Sequence, residues 1–181
     1  ETKVIGIDLG ATNIRAGLVH EGNIHTIQSK RIKSAGTVEE VLADFYLLID
    51  TLLDNEVVAI GIGVPSVVDL AKGIVYDVQH IASWKEVPLK EILEKKYKLP
   101  VYVNNDANCF ALGEFHFGKG RGKSDMIGLS IGTGLGGGAI VNKHLFAGSN
   151  CGAGEFGMVD YLDHNYEYYA SGQYFSHIYN L

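Results

Sequence analysis

Cysteine is nearly absent: Cys109 and Cys151 are the only two in 181 residues. They stand far apart and outside any CxxC spacing, so they can build neither a disulfide framework nor a four-thiolate zinc site. A reducing, cytoplasmic setting is the expectation. A block of Lys or Arg is also missing. Fifteen basic residues are mixed among 21 acidic ones, for a formal net charge of −6. Counterion release on a polyanion then has little to work with, and nucleic acid is not an expected partner. No charged segment leads into an apolar stretch as an export signal requires, and no apolar run approaches the ~20 residues of a membrane span. Neither export nor a membrane partner is expected.

What is present is core material and glycine. Hydrophobic residues make up 46% of the chain, enough to bury a core in one domain or two small ones and to exclude a disordered or fibrous protein. Glycine accounts for 23 residues, nearly twice the usual ~7%, and it is concentrated in a few places.

Val4-Ile5-Gly6-Ile7-Asp8-Leu9 is a short β-branched run that meets a turn at Gly10-Ala11-Thr12-Asn13 and then a second apolar run, Ile14 to Val19. After a turn at residues 20–23, the alternation from Ile24 to Ile32 predicts a third antiparallel strand. Apolar residues at helical spacing from Val38 to Leu53, with Thr37 as N-cap, predict a helix. A buried-type strand follows over Val57 to Val64, then an irregular stretch from Ser66 to Trp84 and a charged helix over Leu89 to Tyr97. The strand from Pro100 to Asn104 runs into Asp106 and a helix from Ala107 to about Phe117.

Strand, Gly/Thr turn and strand then recur, with Met126 to Ile131 as strand, Gly132 to Gly138 as loop and Ala139 to Asn142 as strand. Such duplication predicts two similar α/β lobes around a cleft suited to a nucleotide facing a substrate. The expected division is a small lobe over residues 1–117 and the start of a larger one over 118–181, incomplete at Leu181.

In the first turn, Gly10 permits a tight bend whose N–H groups, together with the Thr12 hydroxyl, can face an anion, while Asp8 can hold Mg²⁺ through water. A plain capped hairpin fits the same residues. In the second, five glycines in seven positions exceed what a hairpin requires, and each costs ~0.5–1 kcal/mol of backbone entropy against Ala. That density predicts close approach to a ligand, most naturally a polyphosphate. No Lys-Ser/Thr follows as in a P-loop, and no helix opens behind it as in a dinucleotide fingerprint. Asp106 sits where a strand hands over to a helix, facing the ligand crevice of an open α/β sheet. A helix N-terminus favours its ionised, weakly basic form, which suits phosphoryl transfer but equally suits a simple cap. Glu155 in a glycine frame and Glu167 ahead of Ser171-Gly172 are carboxylates of the kind a sugar pocket uses, though each also reads as a surface acid. Trp84 and the tyrosines from Tyr161 to Tyr174 could stack on a sugar or simply pack. His164 and His177 have no companions at metal-ligand spacing.

These motifs together resemble the ROK family of repressors, open reading frames and kinases. Residues 8–19 are similar to its first phosphate motif and residues 132–138 to its second, while Gly63-Val64-Pro65-Ser66-Val67-Val68-Asp69, Gly73 and Trp84 follow its sugar-site loop. The resemblance implies an actin-like ATPase (ribonuclease H-like) α/β fold, and transfer of the γ-phosphoryl group of Mg·ATP to a hexose hydroxyl, glucose or a related hexose. It assigns Asp106 as catalytic base. Asn105, Glu155, Glu167, Ser66 and His80 become sugar ligands. Asp8, Gly10, Ala11, Thr12, Asn13, Gly132, Thr133, Gly134, Gly136 and Gly137 fall to the nucleotide and its Mg²⁺. A homodimer is the implied assembly. Three departures stand out: Met158 replaces the histidine that touches sugar and zinc, the three-cysteine loop is replaced by a short segment from Val159 to Tyr166, and His80 replaces an asparagine. No zinc site is therefore expected. A sugar-binding transcriptional regulator of the family would carry a helix-turn-helix ahead of the first strand, and an inactive sugar sensor would have no chemical need for Asp106.

Overall fold

A computed structural model describes residues 2–149 and 151–179. The chain folds as two compact units that divide between Asp106 and Ala107.

The first unit opens with the expected meander: β1 (Lys3–Leu9), β2 (Asn13–His20) and β3 (Asn23–Arg31). Helix α1 (Val38–Leu52) then crosses over to β4 (Val57–Val64), which lies parallel to β1. Thr37 starts the helix with a full capping box. Its hydroxyl accepts the Glu40 N–H at 3.3 Å, and the Glu40 carboxylate accepts the Thr37 N–H at 2.9 Å. Val41, Leu42, Phe45, Leu48, Ile49 and Leu52 recur at helical spacing and are all buried. The one buried acid of α1, Asp44, accepts the Lys33 N–H at 3.1 Å and faces the Lys30 ammonium at 3.4 Å, so its charge is not left unpaired.

The stretch from Ser66 to Trp84, expected to be irregular, contains structure. Strands β5 (Val67–Asp69), β6 (Ile74–Tyr76) and β7 (Glu86–Val87) form a small antiparallel sheet in that order. Strands of two or three residues carry too little alternation to read from sequence. Their connection turns at Gly73, where φ is +63° and a Cβ would lie 2.3 Å from the Lys90 Cβ. Trp84, a candidate for sugar stacking, is instead fully buried against Phe45, with ring centroids 5.6 Å apart. Helix α2 (Leu89–Tyr97) leads to β8 (Val101–Asn105), which completes a five-stranded sheet of order β3-β2-β1-β4-β8. In that sheet β1, β4 and β8 are parallel, so their carboxyl ends share one edge.

Helix α3 (Asp106–His116) begins on the last residue of the first unit. In the second unit β9 (Met126–Ile131), β10 (Leu135–Val141) and β11 (His144–Phe146) form an antiparallel sheet of order β11-β10-β9. The loop expected over residues 132–138 is shorter than that: Gly136, Gly137 and Gly138 belong to β10. A Cβ on Gly136 would lie 2.8 Å from the Ala107 Cβ, and one on Gly138 would lie 2.7 Å from the Ala111 Cβ. On the other face, a Cβ on Gly137 would meet the Phe156 ring at 2.6 Å. Small residues on both partners let α3 approach the hairpin closely, and this packing alone demands part of the glycine cluster. A 3-10 turn (Phe156–Met158), the hairpin β12 (Asp160–Tyr161) and β13 (His164–Asn165), and the helices α4 (Tyr166–Ala170) and α5 (Gly172–Tyr179) follow. Among the described residues no helix is long and apolar enough to cross a membrane.

Candidate functional site

The shared carboxyl edge of the first unit's parallel strands collects most of its candidate residues. Asp8 is the second-last residue of β1, in register with Gly63 of β4, and Gly63 and Val64 are in register with Asn104 and Asn105 of β8. Ligands bind outside this edge in open α/β sheets. The turn leaving β1 is closed by the Gly10 N–H on the Asn13 carbonyl at 2.9 Å, and the Ile32 N–H holds the Thr12 carbonyl at 2.9 Å. Ala11 and Thr12 stand exposed at its tip. A Cβ on Gly10 would lie 3.0 Å from the Asn13 carbonyl oxygen, tight against the bond that makes the turn. The Asp8 carboxylate is 58% exposed and only loosely paired, 4.0 Å from Arg15. An accessible carboxylate beside an exposed hydroxyl turn fits a hydrated Mg²⁺, which keeps several of its waters.

Across the same edge, Ser66 donates through its hydroxyl to the Tyr76 carbonyl, which seats the loop after β4 on the small sheet. The Asn105 amide reaches the Ser66 carbonyl at 3.4 Å, and its backbone N–H donates to the Asn104 side chain at 2.8 Å. Ser66 and Asn105 are thus brought together, with Asp106 next in the chain as the first residue of α3. His80 stands on an exposed tight turn, in the left-handed region at φ 68°.

In the second unit the turn from β9 to β10 comprises Gly132, Thr133 and Gly134, closed by the Gly132 N–H on the Gly134 carbonyl at 2.9 Å. Gly132 and Thr133 are exposed. Helix α5 starts directly against this turn: its first N–H, of Gly172, donates to the Gly132 carbonyl at 2.7 Å. A cleft of about 550 Å³ lies here, lined by Gly132, Thr133, Gly172, Gln173, Ser176 and His177. The contribution of α5 was not read from the sequence, although the Ser171-Gly172 break ahead of it was the available signal. Glu167, on α4, does not stand in open solvent. Its carboxylate accepts the Leu135 N–H at 2.9 Å and the Gln173 amide at 3.1 Å. Glu155 is exposed at the entrance to the 3-10 turn, where the Met158 N–H donates to its carbonyl at 3.1 Å. Met158 is 58% exposed, and the Asn165 amide approaches its sulfur at 4.0 Å.

The ROK family model matches residues 4–168. A glucokinase of Streptomyces coelicolor is 39% identical over 157 residues, covering 86% of this chain and 49% of that protein. A xylose repressor of Caldicellulosiruptor bescii is 37% identical over 161 residues, covering 85% of this chain and 40% of that protein. Among solved structures, a ROK family glucokinase from Streptomyces griseus in complex with glucose and AMPPNP superimposes with a TM-score of 0.82 at 35% identity, over 94% of this chain and 58% of that one. The fold is accordingly the actin-like ATPase α/β fold expected from the sequence. The chain spans about half the length of the curated relatives it matches.

Proposed function

Because the chain belongs to the ROK family, we propose that it carries the acceptor site and the phosphate turns of an ATP-dependent sugar kinase that phosphorylates a hexose hydroxyl. The observation that carries this reading is the convergence of Asp8, Ser66, Asn105 and Asp106 at the carboxyl edge of β1, β4 and β8.

In this reading Asn105 and the loop held by Ser66 orient the sugar, and Glu155 accepts hydrogen bonds from its hydroxyls. Asp106 aligns the attacking hydroxyl and takes its proton as the new O–P bond forms and the bond to ADP breaks. A loose phosphoryl-transfer transition state rewards this alignment more than strong basicity. The Thr12 and Thr133 hydroxyls and the N–H groups of residues 11, 12, 133 and 134, in turns that Gly10 and Gly132 close with their own N–H bonds, hold the donor phosphates. A Mg²⁺ ion held through water by Asp8 would neutralise charge developing on the phosphate oxygens. Glucose or a related hexose is the proposed acceptor, since glucokinases are among the relatives.

A second reading is favoured by the xylose repressor at 37% identity, a protein whose name states sugar-responsive regulation. A regulator would bind sugar without releasing ADP. A coupled ADP-release assay over a panel of hexoses and xylose, run beside sugar titrations, separates the two. Turnover on at least one hexose is expected. Saturable sugar binding with no ADP release on any sugar would overturn the kinase reading in favour of the regulator.

A further inference from the structure

The second unit holds only four Lys and Arg side chains, and all of them stand at one corner. Lys119, Arg121 and Lys123 lie on the loop between α3 and β9, and Lys143 lies on the turn between β10 and β11. Folding joins the two segments: the Lys143 N–H donates to the Ser124 carbonyl at 2.7 Å, and the Asn142 N–H donates to the Asp125 carboxylate at 2.9 Å. Four of the unit's six acids lie elsewhere in the chain, between residues 155 and 167. The two at the corner are engaged by the loop itself, Glu114 accepting the Lys119 N–H at 3.0 Å and Asp125 the Ser124 hydroxyl. All four cationic residues are exposed, and none forms an ion pair among the described residues.

The loop's backbone is turned inward. The N–H groups of Gly118 and Gly120 donate to the Glu114 carbonyl at 3.0 and 2.9 Å, and that of Lys123 donates to the Gly120 carbonyl at 3.0 Å. These donors form no anion-binding nest, so a negative partner is met by side-chain charge. Directly after Lys143 comes β11, the outermost strand of its sheet. His144, Leu145 and Phe146 pair with β10 on one side, and no strand stands on the other among the described residues. The outward N–H and C=O groups of an edge strand are a template for an added one. A chain that uses both features must carry negative charge and a peptide backbone. Polyphosphate or nucleic acid meets the charge but has no amide ladder to offer.

We propose that this corner and edge form a docking site for an extended, acid-rich segment of a partner protein, which adds to β11 as a strand and lays its carboxylates against Lys119, Arg121, Lys123 and Lys143. The site is separate from the 132–134 turn, since β9 carries the chain from the corner to that turn over six residues, about 20 Å of strand. It goes beyond the kinase reading and does not depend on it.

The test follows a fluorescein-labelled peptide of alternating Glu and Val by fluorescence polarisation with the whole chain. Saturable binding that weakens with salt is expected, together with slowed amide exchange at residues 144–146. Lys119→Gln, Arg121→Gln, Lys123→Gln and Lys143→Gln combined are expected to weaken it about tenfold, and Lys143→Gln alone about two- to threefold. These side chains are exposed, so the melting temperature is expected to hold. Lys72→Gln with Lys85→Gln, whose ammoniums already face Asp69 and Asp77, is expected to change nothing. N-methylation of the peptide's amides keeps its charge but removes the ladder, and is expected to weaken binding by about tenfold. No binding, equal binding by the combined variant, an equal loss in the Lys72 and Lys85 pair, full binding of the methylated peptide, or unslowed exchange at 144–146 overturns the docking site. Inorganic polyphosphate or an RNA oligonucleotide that binds more tightly than the peptide at equal charge makes the corner a phosphate site and overturns it too. So does a dimer in sedimentation with 144–146 protected in the absence of peptide, which gives the edge to a second copy. A chain that turns over no hexose overturns the kinase reading and leaves this site as it stands.

Discussion

Asp106 is the first residue of α3, where the orphan N–H groups of a helix start favour an ionised carboxylate. Asp106→Asn keeps the size and the capping capacity of the residue while removing its basicity. It is expected to retain sugar and nucleotide binding and to lose turnover by a factor on the order of 10²–10⁴, the usual worth of a positioned acid–base group. Turnover within a few-fold of wild type would show that the acceptor's proton leaves by another route. A second residue-scale expectation concerns Tyr169, whose hydroxyl donates to the Asp163 carboxylate. That bond, with a smaller effect from burial, pushes the phenol up to about 12, and it holds Asp163 below the ordinary carboxylate range. The tyrosine is raised above its unfolded value near 10, so the stability it lends is complete below about pH 10 and is lost as pH rises through 12. For Asp163, lowered when folded, the contribution is present above the unfolded value and lost as pH falls through the folded one. A difference absorbance titration of wild type against Tyr169→Phe is expected to show a phenol ionising near pH 12, which Asp163→Asn returns toward 10. A phenol ionising near 10 in the wild type would remove the bond from the account.

At the scale of elements, the long ones were legible and the short ones were not. The first three strands, α1 with its Thr37 cap, β4, α2, β8 and α3 all stand within a residue or two of their expected bounds, because each carries a sustained period or a capping residue. The sheet β5-β6-β7 and the hairpin β12-β13 do not, since their strands are two or three residues long and are fixed by tertiary pairing. The glycines of β10 were read as loop for a physical reason as well. From sequence, a residue lacking a side chain to admit a ligand looks the same as one lacking a side chain to admit Ala107 or Phe156. At the candidate site, Asp106 and the turn residues were visible because their chemistry is local, whereas the bonds from Glu167 to Leu135 and Gln173 join elements that only folding brings together.

The segment from Val159 to Tyr166, where the resemblance implies a zinc loop in relatives, forms an element of its own, the hairpin β12-β13 with α4, and aromatic rings pack within it. Tyr161 stacks on Tyr166 with centroids 4.7 Å apart, and His164 stacks on Tyr168 at 3.9 Å. Such packing needs no ion, and Met158 offers a poor zinc ligand. Purified protein is expected to carry no stoichiometric zinc, and a chelator is expected to leave its melting temperature unchanged in the absence of Mg²⁺ and nucleotide. One zinc per chain by elemental analysis, lost together with stability on chelation, would contradict this.

On the scale of the whole molecule, apolar burial is unevenly shared. The hydrophobic core cluster, from Ile5 to Val103, lies entirely in the first unit. The corresponding strands make the contrast plain: Ile5, Ile7 and Leu9 of β1 are at most 5% exposed, whereas Ile127, Leu129 and Ile131 of β9 are 63%, 49% and 65% exposed. In the first sheet β4 lies against the outer side of β1, while β9 is the last strand of its sheet among the described residues. In this stretch of 181 residues taken by itself those β9 side chains face water, so unfolding it adds little new hydration there. The positive heat-capacity change of unfolding arises from that new hydration, about 12–15 cal/mol/K per residue in ordinary globular proteins. Scanning calorimetry of the 181-residue chain is therefore expected to return a value below the roughly 2.2–2.7 kcal/mol/K that its length alone would give. A value inside that range would mean that the β9 isoleucines are dry in solution. In thermal terms the second unit, taken as this stretch of chain, is expected to behave as a smaller protein than its residue count, with a flatter stability curve against temperature.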